Sequence, residues 1–181
     1  MLQEVMYAGF GGQGVVLGAT VLAHIAARGG MNATIIPNYG NEQRGGGAFC
    51  DCKFVAPPEE IYDPRYDHPT MLIAMNEYAY DRYGPSVIDG GIILFNSDVS
   101  DPDFSGVARV KIIKVPCTTI ADSVGSSRSA NFVMMGVAVK IGAFFTKEHC
   151  IESIKDYFEQ ENRPQYIEQN IKAFKVGYST V

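Results

Sequence analysis

Val5-Met6-Tyr7-Ala8 followed by Gly9-Phe10-Gly11-Gly12-Gln13-Gly14, and then by the small-residue run Val15 to Arg28, is the stretch that decides the fold. The first four residues are a short apolar run. Gly9, Gly11 and Gly14 have G-x-G-x-x-G spacing, and the following run is helical and closed by Gly29-Gly30. Glycine past a helix end can supply the left-handed C-cap. Ala33 to Pro37 reads as a second strand, so the opening is strand, glycine loop, helix, strand. That is one βαβ unit with an expected right-handed crossover.

Outward from this unit, Asn38 to Gly47 is polar and glycine-rich. Ala48 to Val55 alternates, with Ala48, Cys50, Cys52 and Phe54 on one face and Asp51 and Lys53 on the other. Alternation predicts a strand buried on one side only, antiparallel at a sheet edge. Residues 56 to 69 carry four prolines and read as a loop. Further strands are expected at Met71 to Met75, Ile92 to Phe95 and Val110 to Val115. Asn76 is placed to cap a helix over Glu77 to Tyr83, and Thr118 to Val124 reads as a short helix. Asn131 to Phe145 predicts a helix apolar nearly all round, and two amphipathic helices close the chain at Lys147 to Phe158 and Pro164 to Tyr178. Alternating strands and helices specify an α/β fold. It is a three-layer sandwich with a mainly parallel, Rossmann-like sheet and C-terminal helices, in a single domain over residues 1–181.

Composition bounds the function. The net charge of the 181 residues is -5, which gives no electrostatic footprint for nucleic acid or an anionic membrane. No apolar stretch reaches the roughly 20 residues needed to span a bilayer. The N-terminal residues lack the basic and apolar regions of a signal peptide, so a cytoplasmic chain with reduced thiols is expected. The four cysteines fail the spacing of a cluster site, since the closest pair is Cys50-Asp51-Cys52. His24, His68 and His149 are scattered and suggest no metal or nucleophile constellation.

Three segments are candidate sites. Gly9, Gly11, Gly12, Gln13 and Gly14 precede a helix N-terminus, whose free N–H groups and partial positive charge suit an anion. A dinucleotide fold also wants an acid at the end of the second strand, where this chain reads Pro37-Asn38-Tyr39. The alternatives are a tight packing turn, a partner contact, or a phosphate-bearing ligand other than a dinucleotide. The second segment is Arg44, Gly45 and Gly46, a planar cation beside a bare backbone. The third is Arg128 to Asn131 at the start of the apolar helix, with Arg128 and Asn131 as candidates and capping by Ser129 or Asn131 as the simpler reading.

Gly9-Phe10-Gly11-Gly12-Gln13-Gly14, then Asn38-Tyr39-Gly40-Asn41-Glu42-Gln43-Arg44-Gly45-Gly46, then Arg128-Ser129-Ala130-Asn131 resemble the gamma subunit of 2-oxoacid:ferredoxin (acceptor) oxidoreductases over nearly the whole chain. Arg-Gly-Gly followed shortly by Cys50 is more similar to the 2-oxoglutarate branch than to the pyruvate branch. The resemblance implies an enzyme that converts a 2-oxoacid and coenzyme A to acyl-CoA and carbon dioxide while reducing ferredoxin. It implies thiamine diphosphate and iron–sulfur clusters on other subunits, with no cofactor on this chain alone. It further implies alpha, beta and delta partner subunits, self-association when the chain is isolated, and a role in assembly with coenzyme A contact. A free-standing dinucleotide- or phosphate-binding Rossmann-like module is the other reading.

Overall fold

A computed structural model describes residues 2–39, 47–107 and 109–181. The first strand, β1 (Gln3–Phe10), leads through the glycine loop into α1 (Val15–Arg28) and then β2 (Asn32–Tyr39). There follow β3 (Gly47–Val55), β4 (Met71–Ala74), α2 (Glu77–Tyr83), β5 (Ile92–Asn96) and β6 (Lys111–Val115). The chain closes with α3 (Cys117–Ser123), α4 (Ala130–Gly142), α5 (Lys147–Gln160) and α6 (Ile167–Ser179). The last helix is entered through a single 3-10 turn at Pro164–Tyr166. Asn76 caps α2 as expected, its side chain accepting from the Ala79 N–H at 2.9 Å. Gly30, at φ 78°, supplies the left-handed step after α1.

The six strands pair in the order β2-β3-β1-β4-β5-β6. The pairs β1–β4, β4–β5 and β5–β6 are parallel, and β3 runs antiparallel to both β1 and β2. β1 and β2 are therefore parallel to each other but not neighbours, because β3 lies between them. From β1 the chain leaves toward β2, and from β4 it leaves toward β5. The β1–β4 junction is thus the topological switch point, where open α/β sheets hold ligands at the carboxyl ends of their strands.

The expectation for β3 needs correction. It is antiparallel, but it is interior, and β2 takes the edge. Both of its faces are buried. Asp51 is only 6% exposed and Lys53 only 8%. The segment after β3 folds back over them. Lys53 Nζ donates to the carbonyls of Asp63 (2.8 Å) and Arg65 (3.3 Å) and pairs with Glu4 at 3.0 Å. Period-2 alternation reports which side of a strand is apolar, not whether a later loop covers the polar side.

One sheet face, through Val5, Tyr7, Cys50, Cys52, Met71, Ile73 and Leu94, packs on α1, α4, α5 and α6. The other, through Met6, Ala8, Leu72, Ala74, Ile93 and Phe95, packs on α2 and neighbouring turns. α4 is buried without a break from Ala130 to Val139, which is why its sequence shows no polar stripe. It crosses α6 at very short range. A Cβ on Gly136 would stand 2.2 Å from the Phe174 carbonyl oxygen, and one on Gly177 would stand 2.1 Å from that of Val133. Only hydrogen at both positions lets the backbones meet. None of the described helices is long and apolar enough to cross a membrane.

Candidate functional site

The glycine loop sits at the switch point. Its Gln13 side chain is turned inward. Gln13 Oε1 accepts from the Phe10 N–H (2.7 Å) and from Asn76 Nδ2 (2.8 Å), and Nε2 donates to the Met75 carbonyl (3.2 Å). The same carbonyl accepts from Asn96 Nδ2 at 3.3 Å, and that amide also reaches Thr118 Oγ1 at 3.3 Å. A row of amides, with Asn76 and Asn96 buried and Gln13 half-buried, thus ties together the carboxyl ends of β1, β4 and β5. Gly9 lies under Gln13, since a Cβ there would be 2.6 Å from its Oε1. Gln13 therefore shapes the loop rather than pointing from it. The Gln13 N–H also closes on the Phe10 carbonyl at 3.2 Å, so Gly12 to Gly14 do not offer three free donors.

Gly14 is left-handed, at φ 71°, and a Cβ on it would lie 2.6 Å from Asn131 Nδ2. That nitrogen donates to the Gly14 carbonyl at 3.0 Å. Neither simple capping reading at α4 holds. Ser129 Oγ donates instead to Asn170 Oδ1 at 2.7 Å, and no side chain caps α4. Asn131 ties α4 to the start of α1.

Gly11 and Gly12 differ from the other loop glycines. A Cβ on either would meet nothing within 4 Å, although Gly12 has φ 93°. The backbone of Gly12 faces a cleft of about 250 Å³ lined also by Gln13, Met75, Asn96, Thr118 and the exposed Arg128, among others. The site thus brings together an amide floor, a bare glycine crest, the N-terminus of a helix and one guanidinium. That set can hold an anion such as a phosphate.

Arg44, Gly45 and Gly46 lie outside the described residues. The strands leading to and from that segment end beside the glycine loop, with Phe10 opposite Gly47 and Tyr39 opposite Ala48. Sequence reasoning missed Asn96 and the second role of Asn76. A lone Asn ending the apolar run Ile92 to Phe95 was the available signal for the first.

The cysteines do not fit a cluster. All four are free and buried, and burial pushes the thiols of Cys50, Cys117 and Cys150 up to about 12. A metal ligand must be the thiolate. Among the described residues no group of three or more His, Cys, Asp or Glu could hold a metal.

The fold defines a doubly wound α/β module with a cleft at the switch point. The chain belongs to the pyruvate ferredoxin/flavodoxin oxidoreductase family, whose model matches residues 4–180. It is 37% identical over 175 residues to the ketoisovalerate oxidoreductase subunit VorA of Methanothermobacter thermautotrophicus, covering 96% of this chain. It spans about a third (35%) of that relative. It is 31% identical to the 2-oxoglutarate synthase subunit KorC of Methanocaldococcus jannaschii, covering 98% of this chain and 93% of the relative. Among solved structures, the keto/oxoacid ferredoxin oxidoreductase gamma subunit from Geobacter sulfurreducens superposes with a TM-score of 0.79 at 24% identity, covering 98% and 96% of the two chains. A 2-oxoglutarate:ferredoxin oxidoreductase from Magnetococcus marinus, with 2-oxoglutarate, coenzyme A and succinyl-CoA bound, superposes with a TM-score of 0.81 at 22% identity. The superposition covers 98% of this chain and 30% of that one.

Proposed function

We propose that this chain is the gamma subunit of a cytoplasmic 2-oxoacid:ferredoxin oxidoreductase, and that its switch-point cleft receives a phosphate of coenzyme A. The observation that carries the second part is the lining of the cleft, where the left-handed Gly12, with open space over its backbone, lies with Arg128. A backbone with no side chain at that position lets a ligand approach closely. Arg128 across the cleft supplies the charge. The relatives are subunits of a ketoisovalerate oxidoreductase and a 2-oxoglutarate synthase, which supports a 2-oxoacid as the substrate. Its chemistry would use thiamine diphosphate and iron–sulfur clusters held by alpha, beta and delta subunits, with ferredoxin as acceptor. The role of this chain is to complete the assembly and to orient the acyl acceptor. A dinucleotide module is disfavoured because β2 ends on Asn38 and Tyr39, with no carboxylate for a ribose.

The test is Arg128→Ala in the assembled complex. The KM for coenzyme A should rise about tenfold, the size of one lost charge-assisted hydrogen bond, with the KM for the 2-oxoacid unchanged. An assembled variant with an unaltered coenzyme A KM would overturn the assignment of the cleft.

A further inference from the structure

The second sheet face carries an acid where its neighbours are apolar. Across the sheet, Ile36, Asp51, Met6, Leu72, Ile93 and Ile112 stand in one paired row. Asp51 is 6% exposed; Tyr66 hydrogen-bonds its carboxyl group, but its Oδ1 has no hydrogen-bond partner among the described residues. A buried carboxyl oxygen without a partner is costly.

It lies on the floor of a cleft of about 380 Å³, separate from the coenzyme A cleft. Met6, Ile36 and Phe49 share the floor. Arg65, Tyr66 and Asp67 form one wall, from the segment that folds back after β3. Arg82 and Tyr83 form the other, from the end of α2. Arg65 and Arg82 are both exposed. Arg82 stands over the Tyr83 ring at 5.7 Å, and that ring packs on Phe49 at 5.0 Å. The lining therefore holds two acids and two arginines, with cationic groups toward solvent and, below, an acid with one unsatisfied oxygen.

We propose that this cleft binds a small zwitterion of the α-amino acid class, its ammonium on Asp51 and its carboxylate at Arg65 and Arg82. A neutral ligand would leave the charges unanswered, and a simple anion would meet Asp51 at the floor. A ligand with one charge of each sign matches the balanced lining. Phe49, Met6 and Ile36 leave an apolar surface for its side chain. The inference does not depend on the coenzyme A reading, because the two clefts share no lining residue.

The experiment uses the purified full chain, with calorimetry or thermal shift against the proteinogenic L-amino acids. For each amino acid that binds, the matching 2-oxoacid and the matching decarboxylated amine are the controls. At least one amino acid should bind, and both controls should bind at least about tenfold more weakly, since each lacks one charge-assisted contact. Asp51→Asn and Arg82→Met should each lose about tenfold in affinity. The second variant alters only an exposed side chain and guards against a fold defect in the first. No binding by any amino acid, equal binding by the oxoacid or the amine, or affinity that survives both substitutions would overturn the proposal.

Discussion

Asn131 donates its side-chain amide to the carbonyl of Gly14 at 3.0 Å, joining the first turns of α4 and α1 across 117 positions of sequence. The contact is short because Gly14 has no Cβ and is left-handed. It fixes the loop that carries Gly11 and Gly12 relative to the helix that follows Arg128.

Gly14→Ala should therefore destabilise the chain by about 2 kcal/mol, from left-handed strain and the clash with Asn131 together. Asn131→Ala should cost about 1 kcal/mol for the lost hydrogen bond. The double variant should cost less than the sum, because removing Asn131 relieves the clash. Denaturant unfolding of the three variants checks this, and strict additivity would contradict it.

The α4–α6 crossing gives a sharper effect. Gly136→Ala or Gly177→Ala forces a methyl against a backbone carbonyl that cannot rotate away. Each should cost about 2–3 kcal/mol by overpacking, and thermal unfolding reads it directly. A neutral result at both sites would mean that the helices are farther apart than described.

Stability should depend on pH through Asp51. Burial raises its pKa from 3.8 to about 6, with Tyr66 and Arg65 pulling it partly back. In the window between these values the unfolded chain releases the proton and the folded chain keeps it. Stability therefore falls as pH rises through that window and levels off above it. Asp51→Asn should be more stable than the parent at neutral pH, by about 1–3 kcal/mol, with the difference vanishing below about pH 4. Urea midpoints across pH test the sign.

The thiols should be inert in the folded chain. Cys50, Cys52, Cys117 and Cys150 are all fully buried, and burial raises each above the ordinary thiol value. A thiol-reactive disulfide reagent at mildly alkaline pH should label none of them until denaturant is added. Rapid labelling of a native thiol would contradict this description.

Much of the fold is legible in the sequence because its signals are local. Helix periodicity places α1 at Val15–Arg28, and Asn76 announces α2. The apolar run of α4 foretells its burial on every side. Pairing order is not local, so nothing in Ala48 to Val55 reveals that the strand enters between β1 and β2. Lys53 and Asp51 look like solvent-facing residues until residues 56 to 69 fold over them. The glycine loop and Arg128 can be found from motif and spacing. The inward turn of Gln13 cannot, because its partners Asn76 and Met75 are more than sixty residues away. Asn131 looks like a helix cap for the same reason, its acceptor being Gly14.

The insertion of β3 also has a consequence for synthesis. β1 lies in the middle of the sheet, and both of its hydrogen-bonding neighbours, β3 and β4, come later in the chain. While the ribosome adds the residues between Phe10 and Gly47, the apolar strand Val5 to Ala8 has no partner, and α1 has no finished sheet to cover. Pairing across such separations is slow because loop closure precedes any gain from contact. The nascent segment that carries β1 therefore waits unpaired and exposed for a holding chaperone to shield, even though in the finished protein its middle is wholly buried.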